Sequence, residues 1–468
     1  MKIVTPRYSF TFARSLALGT GCFIAALSSA QAADFTATGN GSWGGTNTAT
    51  WSFTGTDDGT DGIPGGTDNI VGSTVNATQS TVSGSQSVNN FTFASTGTTN
   101  SWELLNNTLA IGGAITKSGT GSLTFRSTMT LTVGSIAHSG GTINFGTNTS
   151  TGRQLTSLSV GSVAITNNAS MSFYVGTGST TATLGALSLD NTAVVNIRQA
   201  SATTDTAGTL QVASLSSAST TTTVRVTGNT TANTTGTLQI NSTANASYAG
   251  LLVNGSSGAL SVSKSGGFTQ TLSGNSNTYS GGTTISGGML LVTNTTGSAT
   301  GTGAVAVNGG TLGGTGFVDG ATAVTGGNLA AGTDGTVGTL TFNGTLDIAG
   351  LSGTGQLKFD LGAVGASDKI VANAFSFGTG VLNFDDFDFV AVSGFAEGTF
   401  TLFDSATSIS ASSLGSSLTG TINGLAAELS ISGDDLILTV VAIPEPSSYA
   451  VLAGALALSG AAFRRRRS

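Results

Sequence analysis

The chain has 468 residues, enough for two or three ordinary domains, yet Gly accounts for 70 of them and charged residues for only 8%. That stock excludes long helices and coiled coils, and 15 Lys and Arg against 22 Asp and Glu exclude a basic nucleic-acid surface. Low charge with a positive mean hydropathy also argues against charge-driven disorder, leaving an all-β chain of short strands and Gly-rich turns.

Residues 1–32 read as a signal peptide. Lys2, Arg7 and Arg14 form a positive leader, the stretch from Leu16 to Leu27 is apolar, and Ala30-Gln31-Ala32 has the small-x-small form of a cleavage site. Export through the Sec translocon and a cut after Ala32 are therefore expected. Cys22 is the only cysteine and lies inside this segment, so the mature chain carries no disulfide, no thiolate nucleophile and no Cys metal site.

The body, residues 33–345, shows apolar alternation in short runs punctuated by Gly, Asn, Ser and Thr. Examples run from Ser122 to Phe125, Thr130 to Val133, Ala304 to Val307 and Thr339 to Phe342. Alternation at period two predicts half-buried strands, and no segment of the body carries a helical period. The runs recur irregularly at roughly 20–25 residues, the size of one coil of a solenoid, which buries its apolar face only by stacking on neighbours. Trp51 is expected to cap the first coil, and Asp68, beside Pro64-Gly65-Gly66, to cap a turn. Asp57, Asp58 and Asp61 form a loose acidic group in a Gly-rich loop.

Chemistry-bearing residues are scarce. His138 is the only histidine and has no nucleophile-elbow pattern near it, so a Ser-His-Asp triad and a zinc site are not expected; a turn or an exposed strand is. The single dense acidic run is Phe384-Asp385-Asp386-Phe387-Asp388-Phe389. In a strand, Asp386 and Asp388 would share one face about 7 Å apart, which leaves open a glycosidase pair or a weak Ca²⁺ site. The simpler expectation makes them the solvent face of a strand whose Phe387 and Phe389 pack inward. No cofactor is expected.

Asn275 to Gly316 resembles the autotransporter-associated β-strand repeat. The matching positions are Tyr279, Gly281, Gly282, Thr283, Thr284, Ile285, Gly287 and Gly288, followed by the strand Met289 to Val292. The resemblance implies a right-handed parallel β-helix like autotransporter passengers, with the glycine pairs at its corners. Residues 346–441 resemble the closing segment of such proteins, with core strands at Phe400 to Phe403 and Leu436 to Val440. The segment that follows does not read as a translocator barrel.

The tail, residues 443–468, begins with Ile443 and the stiff triplet Pro444-Glu445-Pro446. Residues 449–463 are then uncharged and would span about 22 Å as a helix, and Arg464, Arg465, Arg466 and Arg467 form a block that stays cytoplasmic. This order resembles the PEP-CTERM sorting signal of Gram-negative bacteria. That resemblance implies transient inner-membrane anchoring, processing by an exosortase near the triplet, and release to the cell surface or an exopolysaccharide matrix. Without its two ends the body keeps eight basic against 21 acidic side chains, a net charge of −13. The expectation is an exported, non-enzymatic β-solenoid, with a polysaccharide-binding adhesin or a polysaccharide-modifying enzyme on the same scaffold as the alternative.

Overall fold

The computed structural model describes residues 34–37, 41–43, 51–54, 69–72, 80–82, 86–94, 100–104, 108–126, 130–146, 155–175, 181–199, 208–228 and 234–443. Nearly all regular structure among them is strand, with two one-turn 3₁₀ helices at Phe384–Asp386 and Ala411–Ser413. No helix of the described residues is long and apolar enough to cross a membrane. The signal segment and the tail beyond Ile443 lie outside the described residues.

The strands wind into a parallel β-solenoid. Ser157–Ile165 shows how the sequence dictates a coil: Leu158, Val160, Val163 and Ile165 are buried, and the Ser and Ala residues between them face outward. The alternation slips once, at Gly161-Ser162, where two successive residues face out and the strand turns onto a second strip. Glycine is required there by close approach. A Cβ on Gly161 would strike the Gly134 carbonyl one coil below, and one on Gly134 would strike the Gly112 and Gly113 carbonyls.

Each coil adds one strand to a long first sheet. Thr130–His138 lies parallel to Ser157–Ile165, Thr181–Leu189 and Gly208–Ser216 in turn, with Leu131 against Leu158 and Val133 against Val160. A second parallel sheet closes the coil as far as Leu251–Asn254 and stacks Phe125, Phe145 and Phe173, with ring centroids 5.3 and 5.4 Å apart. From Ala246–Tyr248 onward a third parallel sheet begins, with Tyr248 bridged to Ser217 just past the first-sheet strand Gly208–Ser216, and it continues to Phe387–Ala391. Like residues stack on like, so every coil completes the core of its neighbour.

Coil length is less regular than the expected 20–25 residues. The register steps from Val305 to Thr322 in 17 residues and from Asp34 to Asn69 in 35. Stacking constrains only the strands, and longer connecting loops add little closure entropy, so insertions accumulate between sheets.

The parallel succession continues through Thr339–Asp347 and Lys369–Ser376. Gly398–Ser405 then pairs antiparallel with Asp435–Val441, which pairs antiparallel with Leu425–Ser432 and through it with Thr419–Ile422. The hairpin between Thr419–Ile422 and Leu425–Ser432 turns on Asn423 and Gly424, both at positive φ (48° and 82°), the two-residue turn that suits a twisted ribbon. At the other end Trp51–Thr54 pairs antiparallel with Asp34–Ala37, where a cap belongs; the Trp51 side chain lies outside the described residues.

Candidate functional site

Among the described residues, carboxylates converge on the outer face of the third sheet near its C-terminal end. Asn328–Ala331, Leu357–Leu361 and Phe387–Ala391 lie side by side, with Ala330 against Lys358 and Lys358 against Asp388. Strand alternation turns Lys358 and Asp360 outward together. Lys358 is exposed, whereas Asp360 is buried under the tight turn in which Thr333 and Thr336 exchange two backbone hydrogen bonds. The amides of Gly335 and Thr336 donate to the Asp360 carboxylate. Together with Asp334, Asp388, Phe359 and Met289 these groups line a cleft of about 310 Å³.

Asp368 lies beneath the cleft and builds it. Its Oδ1 accepts from the Gly338 amide at 2.7 Å and its Oδ2 from the Asp360 amide at 2.8 Å. Gly332, at φ +74°, passes so close that a Cβ there would meet this carboxylate. Burial pushes Asp368 up to about 7, against the pull of its two amide donors, and the neighbouring Asp360 charge adds to the rise. Burial also raises Asp360, with the Asp334 and Asp388 charges acting in the same direction. Both oxygens of Asp368 are committed to backbone donors, so it orders the loop rather than reacting. The cleft can accept hydrogen bonds from hydroxyls or from a cationic group. Among the described residues no group of three or more His, Cys, Asp or Glu side chains is arranged to hold a metal ion.

Of the acidic run read from sequence, only Asp388 belongs to this cleft. Asp386 is not in a strand. It closes the 3₁₀ turn Phe384–Asp386, where its Oδ2 accepts from the Asn383 amide at 2.7 Å, and burial raises its pKa. The expected shared face of Asp386 and Asp388 is therefore absent, because the chain reaches the sheet only at Phe387. Asp388 is exposed and Phe387 buried as expected, while Phe389 is half-buried. Asp334, Asp360 and Asp368 escape sequence reading because each stands alone in its own loop or strand. Only coil stacking gathers them, and no local pattern marks that.

His138 also departs from expectation, since it is buried at the inner end of Thr130–His138. Its Nε2 lies 3.0 Å from the Ser170 carbonyl, and in register it sits on Lys117 of the preceding coil. Burial pulls it down to about 4, helped by the Lys117 charge and opposed by the Ser170 contact. Lys117 itself is buried, and its Nζ donates to the carbonyls of Ser118, Gly119 and Gly140 at 2.8–2.9 Å. Lys264 repeats this cage in the second half of the molecule, donating to Ser265, Gly266 and Gly287. Burial lowers both amines to about 8. The sequence signal was a shared Lys-Ser-Gly, present at both corners.

Ala30 and Ala32, Asp57, Asp58, Asp61 and Asp68, Pro444-Glu445-Pro446 and Arg464 to Arg467 lie outside the described residues.

Residues 262–292 match the family described as the passenger-associated transport repeat. The matched stretch contains the Lys264 cage, the buried Tyr279 and the strand Met289–Val292. Its corners use Gly282 and Gly288 at φ +86° and +62°, the second glycine of each expected pair. No curated protein matches the chain. The molecule is thus an all-β parallel solenoid carrying a passenger-type repeat.

Proposed function

We propose that this chain is an exported, non-enzymatic β-solenoid of the cell surface or extracellular matrix. The observation that carries the reading is the passenger-associated transport repeat seated in a continuous parallel solenoid. The sequence of both ends supports it: a signal peptide with a cut after Ala32, and a PEP-CTERM-like tail that anchors a precursor in the inner membrane until an exosortase acts near Pro444-Glu445-Pro446. An acidic, sparsely charged exterior suits a soluble spacer or matrix component.

The test is C-terminal mass spectrometry of the protein from an exosortase-bearing Gram-negative host. The expected product lacks residues 449–468 and is found outside the inner membrane. Changing Pro444-Glu445-Pro446 to three alanines should leave a full-length, membrane-bound form, and unchanged processing in that variant overturns the sorting assignment.

The acidic cleft favours a second reading, a polysaccharide-modifying enzyme. It predicts turnover of plant or bacterial polysaccharides, assayed with and without Ca²⁺, that Asp360→Asn or Asp388→Asn abolishes. No turnover by the wild type removes it.

A further inference from the structure

The sequence holds five Asn-Gly pairs, at Asn40, Asn254, Asn308, Asn343 and Asn423, and Asn40 lies outside the described residues. A glycine after asparagine leaves the next backbone nitrogen unshielded, so that nitrogen can attack the side-chain amide. Whether it does depends on how firmly the fold holds the two groups. At three of the four described pairs they are held. Asn254 Oδ1 accepts from the Leu260 and Ser280 amides at 2.9 and 3.2 Å, and its Nδ2 donates to Ser280 Oγ at 2.9 Å. Asn308 Oδ1 accepts from Thr325 Oγ1 at 2.8 Å, and the Gly309 amide donates to the Ile285 carbonyl at 3.1 Å. Asn343 Nδ2 donates to Asp319 Oδ1 at 2.6 Å, inside the strand Thr339–Asp347.

Asn423 differs on every count. It forms with Gly424 the two-residue turn between Thr419–Ile422 and Leu425–Ser432, and both residues are exposed. Among the described residues neither the Asn423 carboxamide nor the Gly424 amide has a hydrogen-bond partner. A Cβ on Gly424 would meet nothing within 4 Å beyond its chain neighbours. Asn423 holds a left-handed φ of 48°, and ring closure needs it to rotate at the hairpin tip. That rotation breaks no side-chain hydrogen bond, whereas the other three pairs must first release one or more.

We infer that Asn423 is the first of the described Asn-Gly pairs to deamidate in water, and that the change unlatches the C-terminal cap. The Gly424 nitrogen bonds to Asn423 Cγ, the Cγ–Nδ2 bond breaks, and the amide proton leaves with Nδ2 as ammonia. Water then opens the five-membered imide. Attack at Cγ gives an aspartyl residue. Attack at the backbone carbonyl gives an isoaspartyl residue, whose chain runs through the former side chain and is one methylene longer. Water is the single co-reactant, and nothing is oxidised or reduced. A two-residue turn does not accommodate the extra methylene, so the pairing of Ile422 with Leu425 is lost. Thr419–Ile422 is the outermost strand here, paired among the described residues with Leu425–Ser432 alone. Its release uncovers the buried Ile422 and Leu429 at an end that a cap exists to close.

The experiment is peptide mapping by mass spectrometry of the full-length mature protein, held in mildly alkaline buffer and sampled over days, with a urea-unfolded portion as reference. In urea the four pairs should convert at comparable rates. In the folded protein Asn423 should keep most of its unfolded rate, while Asn254, Asn308 and Asn343 slow at least about tenfold, the effect of one to two net hydrogen bonds on opening. The isoaspartyl fraction should then show several-fold faster hydrogen exchange over residues 419–429 than unconverted protein. Asn423→Asp, which adds the charge without the methylene, should exchange like unconverted protein. Asn423→Gln, whose longer side chain closes a ring far more slowly, should keep the fold and lose the converted fraction. If that variant misfolds, the wild-type rates decide alone. Slowing of Asn423 equal to that of the other three overturns the assignment of the site. An isoaspartyl fraction that exchanges like unconverted protein overturns the unlatching.

Discussion

The coils between Thr108 and Thr227 and those between Gly258 and Ala331 share the first sheet and differ in what fills the opposite side. In the earlier coils a second parallel sheet supplies it, and Phe125, Phe145 and Phe173 stack in register. In the later coils that sheet has ended, and irregular segments run there instead. Their backbone groups must find other partners, because a buried unpaired amide or carbonyl is expensive. Asn277 bridges the Leu252 amide and the Ala299 carbonyl at 2.8 and 2.7 Å. Tyr279, fully buried, bonds Thr283 Oγ1 at 2.6 Å, and Ser298 Oγ donates to Gly301 at 2.7 Å. Both cores keep apolar stacks, with Leu290, Leu312 and Leu329 in register in the later coils. What differs is the remaining side, filled by stacked rings in the earlier coils and by a buried polar spine in the later ones. Both keep the caged lysine at the corner.

The contrast can be broken most strongly at the ring stack. Phe145→Ala removes the middle ring and leaves a cavity between two neighbours, with an expected loss of about 3–5 kcal/mol in denaturant or thermal unfolding. A loss under about 1 kcal/mol would mean that the earlier core does not depend on the stack. In the later coils Asn277→Ala leaves one amide and one carbonyl buried without partners. Its expected cost is about 2–4 kcal/mol, and Asn277→Leu should not recover it, because shape is not what the position supplies.

The smallest expected effect separates the halves by pH. His138 belongs to the earlier coils and has a folded pKa of about 4 against 6.5 when unfolded. Between those values the unfolded chain binds more protons, so stability is intact above about pH 6.5 and falls as pH drops toward 4. The shift corresponds to about 3 kcal/mol at most. A His138→Leu variant should lose this acid slope in unfolding curves taken between pH 7 and pH 4. An unchanged slope would show that His138 does not carry the acid sensitivity, and the raised carboxyls of Asp360, Asp368 and Asp386 act in the opposite direction.

Much of the fold was legible because its signals are local. Strand alternation at Thr130 to Val133 or Thr339 to Phe342 is a property of a few neighbouring residues, and so is the Gly-Gly corner at Gly281-Gly282. The closing strands at Phe400 to Phe403 and Leu436 to Val440 were legible for the same reason. Asp386 was misplaced because a one-residue difference decides whether a side chain lies in a turn or on a sheet. The burial of His138 was missed because the polarity of a side chain does not report which strip of a bent strand carries it.

The acidic cleft was illegible for a deeper reason. Asp334, Asp360, Asp368 and Asp388 become neighbours only when coils of unequal length stack in register. Composition and alternation by themselves determined an all-β, repeat-built chain, because turn chemistry and burial periodicity act within a few residues. Which carboxylates meet and which lysines are caged were decided by the tertiary structure, because loop lengths set the register that brings distant coils together.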